Sequence, residues 1–394
     1  MRPAGGAAGA RIMETQTQPT PPEPRRIRGV DVAGLERQLA ARWREAAAEG
    51  GEGKPGVTRV CVANLIVYAP AAAGRPELNK LLEEVAAQTP TRVILLHADR
   101  AGAARLDASV STRCRPALKG RRQLCGEQIT IEAGGALVES LASAVEPLLV
   151  PDIAAFLWWQ DIPNGEDKLF SRLVEMADRV VIDSAAFDRP REDLGRVAAL
   201  VAGRGAEMRL SDLNWGRLTS WRSLVADFWD VPEYRAHLNA LDGVEIEYEA
   251  SAAAPAEVAA QALLAAGWLA SRLGWRPSSK LVADGDGLLR AGLASGGREI
   301  GLALRASGGA GGGMIRRVVF RSGGGAAEFY AGAGEGAGTL KTSAKIGDAL
   351  HVGRVVAYEA KSEGQRLGRE LGILARDEVY EQAVAAATRL MAAG

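Results

Sequence analysis

Polar side chains that could carry out acid–base chemistry lie at the ends of three apolar, strand-like segments. The segment RVILLHAD contains His97 and Asp99, Asp161 follows IAAFLWWQ, and DRVVIDS ends with Asp183 and Ser184. In open α/β sheets, ligands bind beyond the carboxyl ends of the strands, where these residues are expected. A histidine and paired carboxylates can act as acid and base when burial separates their pKa values. Capping of loops is the commoner use of Asp and Ser, and we favour it here.

Asn64 is a further candidate, because it lies inside the otherwise apolar run CVANLIVYA. A buried amide must find a hydrogen-bond partner, either a backbone group, which is the default, or a ligand. Asn64, His97, Asp161 and Asp183 together define a candidate ligand pocket. The glycine cluster SGGAGGG at residues 307–313 lacks the GK[ST] ending of a phosphate-binding loop. We therefore predict no catalytic residue, no metal and no cofactor.

A basic loop is the first candidate for binding an anion or an acidic partner surface. It crowds five cations into ten residues: Arg113, Arg115, Lys119, Arg121 and Arg122. Such a run can hold phosphate or carboxylate groups, although a solvated hairpin tip is the alternative.

Cys114 and Cys125 bracket the loop. Because Cys61 makes the cysteine count odd, we expect idle thiols rather than a redox pair.

The segment SDLNWGRLTSWRSLVADFWD, residues 211–230, is the second candidate for contacting a partner. Three of the eight tryptophans of the chain, among them Trp215 and Trp221, lie here on one apolar arc at helical spacing. Arg217 and Arg222 fall on the margins of that arc. Trp and Arg dominate interface hot spots, but aromatic stripes more often pack into a core, which we favour. The partner-binding candidates of this segment are Asp212, Asn214, Trp215, Arg217, Trp221 and Arg222.

Strand-like and helix-like patterns alternate through the segment that carries these residues. Apolar or alternating runs predict strands at residues 58–70, 92–98, 104–112, 123–133, 153–159, 178–184 and 244–250. Helical spacing predicts helices at residues 31–50, 76–88, 137–146, 167–177, 189–202, 212–230 and 255–273. This alternation predicts a layered α/β domain, a mixed sheet with flanking helices, over residues 31–276. The run VEIEYEA at residues 244–250 alternates most cleanly, so we expect it near an edge.

Glycine-rich sequence marks a second, smaller domain at residues 277–394. Eighteen glycines fall between residues 281 and 340, and short apolar runs such as EIGLALRA lie between them. Short apolar runs separated by glycines predict an antiparallel β-sheet. Helices predicted at residues 363–373 and 376–392 complete this part of the chain as an α+β domain. Residues 1–30 carry several prolines and little apolar content, so we expect a disordered leader.

The charge and hydropathy of the chain exclude several classes of partner. Lys plus Arg and Asp plus Glu number 48 each, so no net field attracts nucleic acid or an anionic membrane. Neither a membrane-spanning run nor an apolar signal region is visible. We expect a cytoplasmic protein that binds neither nucleic acid nor membranes.

Several phrases, taken in order, resemble one known family. They are TRVCVANLIVY, TRVILLHAD, CGEQITI, VEPLLVPDIAAFLWW, DRVVIDSAAF, SDLNWGRLTSWRSLVADFWD and LLAAGWLASRLGW, with weaker support from RDEVYEQAV. As a set they resemble the OpcA family, the glucose-6-phosphate dehydrogenase assembly proteins of bacteria. The family pattern DLNWxRLTPWR matches this chain from Asp212 to Arg222 except at Ser220, where a proline is expected. Thr219 remains available there as a helix N-cap.

The resemblance implies a non-catalytic partner of glucose-6-phosphate dehydrogenase that promotes its active oligomer, as an assembly factor or allosteric activator in the oxidative pentose phosphate pathway. Family members are also discussed as redox-responsive, a property that we do not carry over to Cys114 and Cys125. Two other classes stay open. One is a degenerate sugar-phosphate enzyme, which requires that His97, Asp161 and Asp183 converge in a pocket. The other is a sugar-phosphate-binding module that uses the basic loop.

Overall fold

Two nine-stranded β-sheets form the framework of the chain in a computed structural model. The structure describes residues 26–28, 30–48, 57–71, 73–114, 123–205, 208–252, 254–285, 287–334, 338–358 and 361–392. Most of the predicted leader, residues 1–25, lies outside this set. Its last part does not fit the prediction of disorder, because Arg26–Arg28 form a strand. No helix among the described residues is long and apolar enough to cross a lipid bilayer.

The first sheet is mixed, with parallel strands at its centre. Its strands are β1 Arg26–Arg28, β2 Val57–Arg59, β3 Asn64–Pro70, β4 Arg92–Asp99, β5 Arg105–Cys114, β6 Gln123–Gly134, β7 Ala155–Trp159, β8 Arg179–Ile182 and β9 Leu210–Asp212. Their order is β1-β5-β6-β4-β3-β7-β8-β9, with β2 beside β6. Neighbours from β6 to β9 run parallel, whereas β5 and β1 are antiparallel additions. The predicted α/β layer and the β5–β6 hairpin are confirmed.

Helices cover both faces of this first sheet. The helices of this part of the chain are α1 Val32–Ala48, α2 Arg75–Gln88, α3 Leu141–Val145, α4 Lys168–Glu175, α5 Pro190–Arg204 and α6 Leu213–Arg217. On β3, Leu65 and Val67 pack with Leu82 of α2, while Ile66 and Tyr68 join the larger core on the opposite face. Because both faces are covered, the strand reads as a continuous apolar run.

The second sheet is mostly antiparallel, as expected from the glycine-rich sequence. Its strands are β10 Leu241–Ser251, β11 Arg276–Pro277, β12 Val282–Ala283, β13 Leu288–Ser295, β14 Arg298–Gly311, β15 Ile315–Ser322, β16 Ala327–Ala333, β17 Thr339–Ile346 and β18 Ala349–Ala357. Their order is β11-β13-β14-β10-β15-β16-β17-β18, with β12 beside β13. The pair β10–β14 is parallel, and the other pairs are antiparallel.

The position of β10 corrects the prediction that residues 244–250 lie near an edge of the first sheet. The strand lies at the centre of the second sheet, between β14 and β15. Its glutamates pair with arginines of the neighbouring strands, as Glu245 and Glu247 do with Arg317 at 3.1 and 2.8 Å. The alternation therefore reflects one covered and one solvated face. Since β10 begins at Leu241, the boundary predicted at residue 277 does not separate the two sheets.

The remaining helices connect the two sheets. They are α7 Thr219–Phe228, α8 Pro232–Leu238, α9 Ala260–Leu273, α10 Glu363–Glu370 and α11 Glu378–Ala392. Helix α7 covers one face of the second sheet, where the rings of Phe228 and Trp229 lie 5.7 and 5.0 Å from that of Phe329. Helix α10 packs on α2, and α11 packs on α5 and α9. The predicted C-terminal helices are thus confirmed, but they return to the layer of the first sheet.

Gly267 lets α9 and α11 approach closely. A Cβ atom at this position would lie 2.7 Å from the backbone nitrogen of Ala387 and closer still to the carbonyl oxygen of Ala383. Because backbone atoms of a packed helix cannot rotate away, we expect Gly267→Ala to lower the free energy of unfolding by about 2 to 3 kcal/mol. The control is Gly195→Ala in α5, where a Cβ meets nothing within 4 Å and should stabilise by about 0.5 kcal/mol. Urea unfolding measures both, and equal effects would contradict the close approach.

Candidate functional site

The carboxylate of Asp212 lies at the centre of a buried hydrogen-bond network. It ends β9 and caps α6. Its Oδ1 atom accepts from the backbone N–H groups of Ser184 at 3.0 Å and Asn214 at 2.9 Å. Its Oδ2 atom accepts from the Ser184 hydroxyl at 2.6 Å and from the Tyr380 hydroxyl at 3.4 Å. Since Asp212 is 2% exposed, the network is closed to solvent.

A relay of side-chain amides connects this network to the second sheet. Asn214 Nδ2 donates to Ser184 Oγ at 3.1 Å, and Gln261 Nε2 of α9 donates to Asn214 Oδ1 at 3.0 Å. Gln261 Oε1 then accepts from the backbone N–H of Ile315, the first residue of β15, at 2.8 Å. The relay therefore fixes the first sheet, α9 and the second sheet relative to one another.

Trp215 extends the same network to the C-terminal helix α11. Its indole N–H donates to Asp377 Oδ2 at 2.9 Å, and its ring lies 5.7 Å from that of Tyr380. Asp377 Oδ1 accepts from the backbone N–H of Tyr380 in the first turn of α11. The Arg222 guanidinium stacks on Trp215, 3.6 Å from the ring centroid. Burial lowers the pKa of Arg222 to about 10, although the charge of Asp377 opposes the shift. The guanidinium thus contacts the aromatic face of Trp215 and donates a hydrogen bond to Thr219 Oγ1 at 3.2 Å.

Arg217 and Asp183 form a bidentate ion pair beside Asp212. The two guanidinium–carboxylate distances are 2.6 and 2.7 Å, and both side chains are 15% exposed. Burial alone would lower the pKa of Arg217, but its hydrogen bonds to Asp183 outweigh that effect and raise it. The carboxyl group of Glu363, on α10, is influenced by the same charges. Burial is the largest cause that raises its pKa, and the negative charge of Asp183 is the second. Carboxylates from three elements thus share one buried arginine.

Burial dominates the titration of Asp212 itself. It raises the pKa of this carboxyl from 3.8 to about 6, and the negative charge of Asp183 adds to the shift. Hydrogen bonds from Ser184 and Asn214 oppose the increase but do not cancel it. Desolvation penalises the charged form, so the ionised carboxylate depends on its donors.

The six candidates of the 211–230 segment come together in the structure, but inside it. Four of them are 1–4% exposed: Asp212, Asn214, Trp215 and Trp221. The interpretation as a core segment is confirmed for these four, because side chains buried this deeply cannot meet a partner in the folded chain. Arg217 and Arg222 are engaged within the chain by Asp183 and Trp215. The segment joins the layers of the molecule, and contact of Arg217 or Arg222 with a partner stays a prediction.

Only part of the basic loop can be described. Arg115, Lys119, Arg121 and Arg122 lie outside the described residues, and their contact with a partner stays a prediction. Arg113 donates to the side chain of Gln128 and, at 2.8 Å, to Asn79 Oδ1 of α2. Burial lowers its pKa, although Glu83 opposes the shift. Arg113 therefore ties β5 to α2.

Asn64 and His97 do not share a pocket. Asn64 opens β3, and its side chain exchanges two hydrogen bonds of 2.9 Å with the backbone of Val150. A backbone partner, the default expectation for this amide, is thus confirmed. His97 lies near the opposite, carboxyl end of β4, where burial and then the charge of Arg75 lower its pKa. The two residues occupy opposite ends of the sheet.

Asp161 and Asp183 serve local structure. Asp161 Oδ1 accepts from the next backbone N–H, that of Ile162, at 2.7 Å, and Asp183 caps the turn after β8 through Ala185. Two strands, β3 and β7, separate β4 from β8, so His97 and Asp183 lie about 14 Å apart across the sheet. His97 therefore does not meet Asp183, and Asn64 lies at the other end of the sheet, so the four candidates do not form one acid–base site.

An open depression of about 680 Å³ lies elsewhere, lined by Arg100, Glu139, Asn164, Glu166, Asp167 and Lys168. Arg100 pairs with Glu139 and Asp167 at 2.7 Å each. Two carboxylates thus neutralise this cation, which does not favour binding of a sugar phosphate.

Among the described residues, no group of three or more His, Cys, Asp or Glu side chains could hold a metal ion.

The cysteines depart from the expectation of idle thiols. Cys125 is disulfide-bonded, and the backbone of Cys114 lies directly opposite it in the β5–β6 register. Cys61 is free, and burial raises the pKa of its thiol. The antiparallel pairing of β5 and β6 is the geometry that brings these two positions together, whereas Cys61 lies outside this pair of strands.

Two consecutive family models match this chain. Residues 82–199 match the model described as the glucose-6-phosphate dehydrogenase subunit N-terminal domain, and residues 208–384 match that of the C-terminal domain. The chain belongs to the OpcA family. The break between the two OpcA matches, residues 200–207, covers the end of α5 and the connection to β9, just before Asp212. The buried motif therefore opens the second family domain.

Curated relatives cover half of this OpcA-family chain. A protein from Nostoc punctiforme whose name includes OxPP cycle protein OpcA is 37% identical over 208 residues, 52% of this chain and 43% of that protein. A relative of the same name from Synechocystis is 34% identical over 205 residues, 52% of this chain and 41% of that protein. Each match thus spans less than half of the relative.

Solved structures resemble the fold only distantly. The WlbA dehydrogenase from Thermus thermophilus is 12% identical, covers 84% of this chain and 94% of its own, and superposes with a TM-score of 0.41. The GnnA dehydrogenase from Acidithiobacillus ferrooxidans is 11% identical, with coverage of 84% and 97% and a TM-score of 0.43. A likeness at this level says nothing about what an OpcA-family chain binds.

Sequence analysis missed three members of the Asp212 network. Gln261 is a polar residue in the otherwise apolar run AQALLAAGW, and the need of a buried amide for a partner could have revealed it. Asp377 and Tyr380 belong to RDEVYEQAV, the phrase that gave weaker support to the OpcA resemblance. Their link to Asp212 spans more than 160 residues of sequence, so no local pattern records it.

Proposed function

We propose that this OpcA-family chain binds glucose-6-phosphate dehydrogenase and favours its active oligomer, without carrying out a reaction itself. The observation that carries this proposal is the match of two consecutive family domains described as domains of a subunit of that enzyme. The names of the relatives, OxPP cycle proteins, agree with it. We also propose a cytoplasmic location, as the sequence leads us to expect.

The buried network supports a binding role. An activator works by binding the competent state of its partner more tightly than the other state, with a coupling of about 1 to 3 kcal/mol. A chain whose two sheets are fixed by the Asp212 relay spends little of its binding free energy on ordering itself. The distance of about 14 Å between His97 and Asp183 across the first sheet also favours binding over catalysis.

Sedimentation of the dehydrogenase from the same organism, with and without this chain, tests the proposal. We expect the two proteins to co-sediment and the dehydrogenase to shift towards its larger oligomer, saturating at a fixed ratio. Separate sedimentation at micromolar concentrations would contradict binding. Turnover of a sugar phosphate by the isolated chain with a nicotinamide dinucleotide would contradict the non-catalytic role.

A further inference from the structure

The second sheet has an outer face that no helix among the described residues covers. Its side chains fall into three cross-strand rows, because directly opposed residues point to the same face. The rows, from β13 to β18, are Gly292-Gly301-Gly243-Arg321-Glu328-Lys345-Leu350, Arg290-Ala303-Glu245-Val319-Tyr330-Ser343-Val352 and Leu288-Arg305-Glu247-Arg317-Gly332-Lys341-Val355. Seven strands and three rows give about 34 by 20 Å, close to the area that one partner contributes to a standard interface, about 800 Å².

The β18 end of this outer face is apolar and solvent-exposed. Leu350, Val352 and Val355 are 67%, 80% and 64% exposed, the three highest values for large apolar side chains among the described residues. The intervening His351 faces the other way, towards Tyr234 of α8. Three such residues on one face of one strand form a contiguous patch, and patches of this kind mark interaction sites.

The charge of the outer face indicates the chemistry of its partner. Six of its side chains are basic and three are acidic: Arg290, Arg305, Arg317, Arg321, Lys341 and Lys345 against Glu245, Glu247 and Glu328. Asp284 pairs with Arg290 beside the face, so the excess of positive charge lies mainly towards Lys341 and Lys345. Lys345 and Lys341 lie directly opposite Leu350 and Val355. A second copy would oppose this excess of positive charge with its own. An apolar surface rimmed by carboxylates complements it instead.

The edge position of β18 favours a protein over a lipid surface. Among the described residues, β18 pairs with β17 alone, so its other side presents unpaired backbone N–H and C=O groups. Hydrocarbon cannot satisfy such groups, whereas a polypeptide can satisfy them by adding a strand or covering the edge. Edge strands are normally protected against pairing by charge, proline or a bulge; β18 has Arg354 and a register shift between Val352 and Val355, but the three side chains of the patch are uncharged.

We propose that the outer face of the second sheet, anchored by Leu350, Val352 and Val355, is the docking surface for an acidic protein partner. This inference rests on the proposed function, in which that partner is glucose-6-phosphate dehydrogenase. Lys341 and Lys345 steer the approach, and the apolar patch supplies most of the affinity.

The affinity of the full chain for the dehydrogenase, measured by biolayer interferometry, tests this surface. We expect Val352→Glu to raise Kd at least tenfold, because it puts a charge into the apolar anchor and repels the acidic rim. Val62→Glu is the matched control, an equally apolar residue that is 53% exposed beside the first sheet, and should change Kd less than twofold. Lys341→Glu with Lys345→Glu should slow association and weaken its dependence on salt. Should Val352→Glu fail to fold, Leu350→Ser with Val355→Ser serves instead.

Four other outcomes are possible, and each would contradict a different part of the proposal. If the wild-type chain does not bind the dehydrogenase, the proposed function fails and this surface assignment fails with it. If it binds and Val352→Glu binds equally well, the surface assignment alone is wrong. A wild-type dimer that Val352→Glu dissociates would reassign the face to a second copy. Binding to phosphatidylglycerol vesicles that the same variant abolishes would reassign it to a membrane.

Discussion

Asp212→Ala is expected to lower the free energy of unfolding by about 4 kcal/mol. The change removes the acceptor of two backbone N–H groups and two hydroxyls, all buried, and each orphaned donor costs about 1 to 3 kcal/mol unless water enters. Asp212→Asn keeps an oxygen for the N–H groups of Ser184 and Asn214, so it should cost far less. Urea unfolding at pH 7 measures both, and similar losses for the two variants would contradict this account of the network.

The same pair of proteins should differ in pH dependence. Because the pKa of Asp212 is raised from 3.8 to about 6 on folding, the folded chain binds a proton between about pH 4 and 6 that the unfolded chain has released. The contribution of this group to stability is therefore greatest below pH 4, falls as the pH rises to 6, and is constant above. The free energy of unfolding of Asp212→Asn minus that of the wild type should rise by about 2 kcal/mol from pH 4 to pH 7. A constant difference would show that Asp212 does not titrate in this range.

Arg217→Glu is the second substitution with a large expected effect, also about 4 kcal/mol. The reversal breaks the bidentate pair with Asp183 and adds a carboxylate next to Asp183, Asp212 and Glu363. Removing one partner of a buried ion pair leaves an uncompensated charge, which costs about 3 to 5 kcal/mol before any new repulsion. Thermal and urea unfolding measure the loss.

The matched control for Arg217→Glu is Arg37→Glu. Arg37 pairs with Asp31 at 3.4 Å on the surface, with 73% and 55% of the side chains exposed. Such pairs contribute less than about 1 kcal/mol to stability, so Arg37→Glu should hardly change the free energy of unfolding. Comparable losses for the two reversals would contradict the buried role of Arg217. Weaker partner binding by Arg217→Glu would report lost folding and not a lost contact.

Local sequence patterns predicted the individual helices and strands of the fold well. They failed to predict which sheet a strand joins, because that depends on pairing between segments distant in sequence. The runs at residues 92–98 and 153–159 are strands covered on both faces, and their apolar character records that burial directly. The run at residues 244–250 alternates just as clearly, but alternation says which face is solvated and not which sheet the strand joins. Its parallel pairing with β14, about 60 residues onward, has no signal in a single sequence.

The site shows the same limit. Trp and Arg at helical spacing predicted an amphipathic segment, and the structure agrees, but the spacing does not say whether the margins meet solvent or Asp183 and Trp215. The outer face escaped notice because its residues come from seven strands, each adding only three. Leu350, Val352 and Val355 lie in the run ALHVGRVVA, and only the sheet order shows that this strand, β18, is at an edge.

The central claim is that this chain acts by binding the active form of glucose-6-phosphate dehydrogenase. A kinetic titration of that enzyme with the purified chain tests it most directly. We expect the apparent KM for glucose 6-phosphate to fall by about fivefold or more, saturating at a fixed ratio of the two proteins, as a coupling of at least 1 kcal/mol requires. An unchanged KM and kcat at every ratio, with both proteins folded, would contradict the account.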